Sequence, residues 1–538
     1  MTLYNETSVE HYIEQGLTFH THQDFESALS CYNQALRHNT RNPKLWFLLG
    51  TALYQLNRFK DAEYFLMKSL LENPDNLSTY ENLAALYENT KNIHAARALC
   101  EKAIEIDPQY FSIYFHLIHI YFRFRQFDNA LYLAKKLEEE YSNNGESNYY
   151  NLSKTYYYFS LLYDALEQHD LALHYNQLSL KFNKKNYMNR MQYNFMQMKL
   201  GHLRYIWNDF EIRHVQQPHH NVQKRLGGRW RGEVFKNKSL IILGEQGLGD
   251  IIQFIRFAKY VKEKGGRVYF SCSPKLFKLL KNIDGIDHFV DEKNIQLKCS
   301  YSIFLMSLLK PLQITEQSFP AFLPYIKADK KLIQKWAHRL SQDQFNIGIV
   351  WQGNSENGRD YFRSFKLSNF YPLSKVKNVQ LISLQKNFGL EQINDCPADM
   401  NLMNWEDDID AAGDAFVDTA AIIQNLDLVI TIDSAIAHLA GAMGRPVWTV
   451  LGIGSDWRWM TKTSETPWYP SMRLFRQQVG EEPETLFRRI TEAASQMVDL
   501  KFNQNVTDTS IPKLNPVRKA IDDNQTYNNK LNGKNYCE

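Results

Sequence analysis

The chain has 538 residues, which at roughly 150 residues per domain makes about three or four domains, each large enough to bury its own core. Lysine and arginine number 62 against 59 acids, a formal charge of +3, and so weak a field over so long a chain leaves no basis for nucleic acid as a partner. Six cysteines (Cys31, Cys100, Cys272, Cys299, Cys396, Cys537) without a C-x-x-C pair, no basic apolar leader and no run of about 18 apolar residues argue against structural zinc, a disulfide framework, a signal peptide and a transmembrane segment, and so for a reducing cytoplasm.

Self-similarity dominates the first 220 residues. Ala28, Ala62, Ala96 and Ala130 are spaced by 34, and three residues before each stands Phe25, Phe59, Ile93 or Phe127. Gly16, Gly50 and Ala84 repeat at the same period, as do Pro74 and Pro108, and Trp46, Tyr80 and Tyr114 share a further phase. A period of this length predicts pairs of antiparallel helices stacked into a solenoid, small residues marking close helix approach and aromatics filling the core. After Ala130 the matching alanine is Ala172, eight residues late, so the polar segment near 141–152 reads as an insertion. A fifth unit is expected at about 153–186 and a degenerate sixth at 187–220. These residues resemble the tetratricopeptide repeat, which implies a concave face that binds a protein partner; the alternative is that the solenoid only stabilises the domain C-terminal to it.

From Ser239 the pattern changes to short apolar runs that end in glycine and lead into helical stretches, the signature of βα units on a parallel sheet. Strands are predicted at SLIIL, VYFSC (268–272), HFV (288–290) and YSIFLM (301–306), with helices at about 250–264 and 273–282. The alternation restarts after Trp336 with NIGIV, VQLIS, LDLVITI and PVWTVLG. Two βα halves, at 221–330 and 331–500, predict two Rossmann-like domains with a cleft between them and a hinge around 325–345. The asparagine-rich, apolar-poor tail 501–538 is expected to be disordered.

Three loops carry chemistry. The loop Gly244-Glu245-Gln246-Gly247-Leu248-Gly249-Asp250 sits where a strand passes into a helix, yet it matches neither the dinucleotide fingerprint nor a P-loop. Gly247 and Gly249 allow close approach of backbone to a ligand. Asp250 reads first as the cap of the helix and second as a carboxylate placed to take a proton from a hydroxyl; Glu245 is a second candidate base. Downstream, Asp433-Ser434-Ala435 leads into a helix with His438 one turn in, where free amides and the helix dipole favour an anion such as a diphosphate. A third loop, Trp351-Gln352-Gly353-Asn354, precedes Arg359, Arg363 and Lys366; the last two are candidate cations for a leaving group. Gln385 and Lys386, at the end of the LISLQ strand, are candidates for contact with a base or ribose.

The segments GEQGLGDIIQFIRFAKYV, VDTAAIIQNLDLVITIDSAIAHLAGAMGRPVWTVLG and DWRWMTKTSETPWYPSMRLFRQ, with LGHLRYIWNDFEIRH and GGRWRG upstream, resemble bacterial proteins that join tetratricopeptide repeats to a heptosyltransferase-like glycosyltransferase domain. The resemblance implies a multidomain α plus α/β chain: a tetratricopeptide α-solenoid at 1–220 and two Rossmann-like halves in a GT-B arrangement, with 221–330 holding the acceptor and 331–500 the donor. It further implies a nucleotide-sugar donor, no cofactor and no required metal. By that resemblance Asp250 is the base, and Asp433, Ser434 and His438 are the donor-phosphate motif. The family usually has threonine and glycine after the aspartate, where this chain has Ser434 and Ala435. Asp456-Trp457-Arg458-Trp459 and Ser471-Met472-Arg473 resemble the repeat-bearing subfamily and frame the cleft. The expected function is inverting sugar transfer to a hydroxyl acceptor, a protein bound by the repeats; the alternative is a repeat scaffold whose transferase-like half has lost its chemistry.

Overall fold

The computed structural model describes residues 2–502 except 39–40, 144–147, 208, 215–222, 224, 316–318, 320–322 and 462. The core of the expected insertion and the tail from 503 onward lie outside the described residues. The chain divides into two units, Met1–Asp164 with Gln168–Asn186, and Ala165–Glu167 with Tyr187–Glu538. Among the described residues no helix is long and apolar enough to cross a membrane.

The described residues of the first unit form a solenoid of ten helices: α1 (Thr2–Thr21), α2 (Phe25–His38), α3 (Pro43–Gln55), α4 (Phe59–Glu72), α5 (Leu77–Asn89), α6 (Ile93–Ile106), α7 (Ser112–Arg123), α8 (Phe127–Asn143), α9 (Tyr149–Ala165) and α10 (His169–Phe182). The repeat phase sets the packing. Phe25, Phe59, Ile93 and Phe127 open the second helix of successive pairs, and Ala28, Ala62, Ala96, Ala130 and Ala172 are all 0% exposed. Gly50 shows why the facing column is small, since a Cβ there would stand 2.6 Å from Leu66 Cγ. The turn inside each pair holds a left-handed residue at the same period, Gln23, Asn57, Lys91 and Arg125, then Glu167 after the eight-residue delay. Asn42 caps α3 by accepting from Leu45 N, with Pro43 at the first helical position, where its missing N–H costs nothing.

The second unit begins with α11 (Tyr187–Lys199). The turn after α11 keeps the repeat phase with left-handed Gly201, 34 residues beyond Glu167. Even so, α11, expected as part of a sixth repeat, clusters with the α/β region. The physical reason is its buried face: Met191 and Met198 belong to one continuous apolar core with Trp207, Phe210 and both sheets.

Both sheets are wholly parallel. The first comprises β1 (Gly228–Arg229), β2 (Ser239–Leu243), β3 (Arg267–Cys272), β4 (His288–Asp291) and β5 (Tyr301–Phe304), in the order β1-β5-β2-β3-β4. The second comprises β6 (Phe345–Val350), β7 (Val379–Ser383), β8 (Leu402–Met403), β9 (Leu428–Ile432), β10 (Val447–Leu451) and β11 (Met472–Arg476), in the order β11-β10-β9-β6-β7-β8. Central strands such as LVITI and VWTVL are buried at every position, as strands covered on both faces must be.

The helix expected at 250–264 is interrupted: Leu248–Phe254 and Ala258–Glu263 flank a 3₁₀ turn at Ile255–Phe257. The interruption falls at Arg256, whose buried guanidinium donates to Trp468 O at 2.7 Å and to the Tyr325 hydroxyl at 2.8 Å. That residue ties the first α/β half to a segment of the second. The helix expected at 273–282 is likewise short, a 3₁₀ turn at Pro274–Leu276 followed by Phe277–Leu280.

Candidate functional site

The loops after β2, β6, β9 and β10 converge on a cavity of about 840 Å³. From the first half come Gln246 to Asp250; from the second come Gly353, Asn354, Asn357 and Arg363, the helix start Asp433, Ser434, Ala435 and His438, and the segment Asp456, Trp457 and Arg458. Ligand sites at the carboxyl ends of parallel strands follow from the topology, because that is where loops and helix N-termini gather. One wall is apolar: α11 supplies Tyr187, Met188, Met191 and Phe195.

Asp250 stands in the first turn of the helix Leu248–Phe254. Its Oδ2 accepts from Gly247 N at 2.8 Å, the capping contact, while Oδ1 receives Arg458 Nη2. Arg458 is 208 residues away in sequence and comes from the other α/β half. It also donates from Nη1 to Asp456 Oδ1 at 2.8 Å and from Nε to Gln253 Oε1 at 2.9 Å. Burial opposes its charge, but the Asp250 and Asp456 carboxylates outweigh that cost and raise its pKa. Burial likewise opposes ionisation of Asp456, yet the Arg458 charge and N–H donors hold its carboxyl below the usual range.

The strand LVITI delivers Asp433 and Ser434 to the start of the helix Ala435–Ala442. Ser434 is the cap: its Oγ accepts from Ile436 N at 3.2 Å and bonds Thr431 Oγ1 at 2.9 Å. Desolvation, reinforced by the Asp456 charge, pushes the Asp433 carboxyl up to about 6 against the opposing pull of Arg363 and Arg458. His438 is 5% exposed; its Nδ1 lies 3.0 Å from the Tyr469 hydroxyl and its ring stacks on Trp459. Burial, with the Arg458 charge second, lowers its pKa to about 3, so it is a neutral imidazole. Gly353 is required by close approach: a Cβ there would stand 2.4 Å from Asp360 Oδ1 and 2.6 Å from Arg363 Nη2. Arg363 in turn donates to Asp360 Oδ1 at 3.0 Å and to Asp433 O at 3.3 Å.

Four sequence candidates stand apart from the cavity lining. The Glu245 carboxylate is buried in a bidentate pair with Arg213, at 2.9 and 3.0 Å, and accepts from Met306 N at 2.8 Å; these bonds consume it as a structural acceptor. Gln385 accepts from Trp351 N and Gln352 N and donates to Gln352 O and Phe388 O, so it clasps the loop that presents Gly353 and Asn354. Lys366 is exposed and its backbone starts the 3₁₀ segment Leu367–Lys375. Lys386 turns to Glu406 O and Ile409 O at 2.6 and 2.8 Å. Arg458, which sequence reasoning left as part of the frame, is the residue that joins the halves at the candidate base.

Residues 20–87 and 77–110 match two tetratricopeptide repeat families, and residues 415–492 match glycosyltransferase family 9 (heptosyltransferase). Over 498 residues the chain is 23% identical to protein FlbA of Caulobacter vibrioides, covering 84% of this chain and 78% of that one. Over 92 residues it is 29% identical to the protein O-mannosyl-transferase TMTC3 of Homo sapiens, a stretch that covers 17% of this chain and 10% of that protein. Among solved structures it is similar to a thermophilic TPR protein of Thermus thermophilus, with 17% identity, a TM-score of 0.30, and coverage of 35% of this chain and 99% of that one. The chain thus joins tetratricopeptide repeats to a C-terminal portion of the glycosyltransferase family 9, heptosyltransferase, kind.

Proposed function

We propose that the chain is an inverting glycosyltransferase that moves a sugar from a nucleotide-sugar donor to a hydroxyl acceptor, and that the acceptor is a protein bound by the repeats. The observation that carries this reading is that one cavity holds both Asp250 from the first α/β half and the helix start Ser434–His438 from the second. In the step, the acceptor oxygen attacks the anomeric carbon as Asp250 takes its proton. A new carbon–oxygen bond forms on the face opposite the breaking bond to phosphate, and the leaving diphosphate keeps that bond's electron pair. The helix start, Arg363 and Arg458 meet the developing charge, so the step as written needs no metal ion. When the buried Tyr469 phenol donates to Nδ1 of His438, the ring proton sits on Nε2, making the neutral imidazole a donor rather than a base. The short likeness to a protein O-mannosyl-transferase accords with a protein acceptor.

The test is calorimetry of the full-length protein against UDP, GDP, ADP and CMP, alongside His438→Ala. The expected result is selective binding of one nucleotide class, weakened about tenfold or more in the variant. Silence across the whole panel would overturn the reading in favour of a repeat scaffold without donor chemistry.

A further inference from the structure

Arg458, the side chain that joins the two halves of the cleft, is bound directly to the candidate base. Both oxygens of Asp250 are engaged, Oδ2 by Gly247 N and Oδ1 by Arg458. The guanidinium stands against Oδ1, the oxygen that does not serve as the helix cap. Arg458 has other partners besides. Gln253 holds Nε, Asp456 holds Nη1, and the guanidinium lies 4.6 Å from the Trp457 ring centroid. Of the five N–H groups of a guanidinium these contacts and Asp250 take three, which leaves one on each terminal nitrogen for an anion.

The anion site lies next to this guanidinium. Gly249, the residue before Asp250, is packed so tightly on the helix start that a Cβ there would stand 3.3 Å from Ala435 Cα. The Arg458 charge acts on both Asp433 and His438, the residues flanking that helix start. A diphosphate seated there carries more negative charge than one carboxylate and competes with Asp250 for the same guanidinium.

We propose that Arg458 is a shared counter-ion: the donor's diphosphate draws it from Asp250, so donor binding unmasks the base and the acceptor is used only after the donor. This rests on the assignment of Asp250 and Ser434–His438 made above and adds an obligatory order and a residue that enforces it. It leads to an outcome opposite to ordinary expectation, in that neutralising the base tightens donor-side binding. Asparagine at 250 can still accept from Gly247 N, so the helix start is kept while the competing charge is removed.

The experiment is calorimetry of the full chain with whichever of UDP, GDP, ADP or CDP binds wild type, using Asp250→Asn, Arg458→Gln, the double variant, and the corresponding nucleoside as a phosphate-free control. Asp250→Asn should tighten nucleoside diphosphate binding by about tenfold and leave nucleoside binding unchanged; the gain should vanish in the Arg458→Gln background. Unchanged or weaker binding in Asp250→Asn overturns the proposal. A gain that persists without Arg458 also overturns it, since the effect would then be general charge repulsion. Should Arg458→Gln fail to fold, Arg458→Lys keeps the charge but not the guanidinium, and the Asp250→Asn gain should shrink at least threefold there; an undiminished gain is again a refutation. Failure of wild type to bind any nucleoside diphosphate would instead remove the functional reading on which the proposal stands.

Discussion

Gly249 lies against His438: a Cβ built on the glycine would come within 3.1 Å of the imidazole Cδ2. The contact brings the two halves of the cleft together at a position where the neighbour must yield by a few tenths of an ångström to admit even a methyl group. Gly249→Ala should therefore fold, with a melting temperature lowered by a few degrees, and bind its nucleoside diphosphate about tenfold more weakly. Thermal melts and calorimetry on the same preparation check both parts; a variant with wild-type affinity would show that this contact does not set the geometry of the site.

Asp433 and His438 give the site opposite pH signatures. The carboxyl of Asp433 is raised from 3.8 to about 6, so the folded protein binds its proton more tightly than the unfolded chain, and this group's contribution to stability falls as pH rises from about 4 through 6. Asp433→Asn should consequently stabilise the protein by about 1–3 kcal/mol above pH 6 and by little near pH 4. His438 works the other way. Its pKa is lowered from 6.5 to about 3, so its contribution is complete above 6.5 and is lost as pH falls toward 3. Denaturation of wild type, Asp433→Asn and His438→Gln between pH 4 and 7.5 separates the two, and pH-independent differences would refute both assignments.

Glu245 offers a contrast between structure and chemistry. Removing one partner of a buried ion pair costs about 3–5 kcal/mol, and Glu245→Gln leaves the 3% exposed Arg213 side chain facing a neutral amide. The expected outcome is a large loss of stability with nucleotide affinity within about threefold of wild type for the folded fraction. Wild-type stability combined with lost turnover would instead restore Glu245 as a base.

In the repeats, Glu88 of α5 bridges two histidines of α7, at 2.6 Å to His116 Nδ1 and 2.5 Å to His119 Nδ1. Burial would raise its carboxyl, but these two partners hold it down at about 2. Such a depressed group stabilises the fold fully above 4.5 and progressively less as pH falls toward 2. Glu88→Gln should destabilise the protein by about 1–3 kcal/mol at pH 6, with the gap to wild type closing by pH 2.5. Chemical denaturation across that range is the measurement; a constant gap would mean that packing, not charge, is what the glutamate supplies.

How far the sequence reveals this molecule depends on the range of the interactions concerned. The 34-residue period is legible because each helix pair repeats one local solution, down to the left-handed turn residues Gln23, Asn57, Lys91 and Arg125. The parallel sheets are legible because strands buried on both faces become continuous apolar runs. At the site, the glycine loop and Asp433–His438 announce themselves by strand-to-helix context. The pairing of Asp250 with Arg458 has no such local trace, as it spans 208 positions. Glu245 and Asp250, five residues apart, look alike in sequence; only the arrival of Arg213 from 32 residues upstream distinguishes the structural carboxylate from the one in the cleft. Gln385 is similarly opaque, since a polar residue at a strand end reads the same whether it holds a ligand or a loop. The face of α11 has the apolar spacing of a repeat helix, and the same spacing serves to line a cavity.

The placement of α11 has a practical consequence for dividing the gene. An α/β fragment designed from the repeat count would begin near residue 221 and discard the helix whose Met191 and Met198 are buried in the α/β core and whose Tyr187 and Met188 border the cavity. Such a fragment would uncover the turn Trp457–Trp459, against which this helix packs, and be prone to precipitate. A cut just before Tyr187 retains that helix, and a solenoid fragment ending at Asn186 keeps α1 to α10 whole. The seam for domain exchange, in which one repeat array is replaced by another, therefore lies at 186/187, one helix pair earlier than the periodicity suggests.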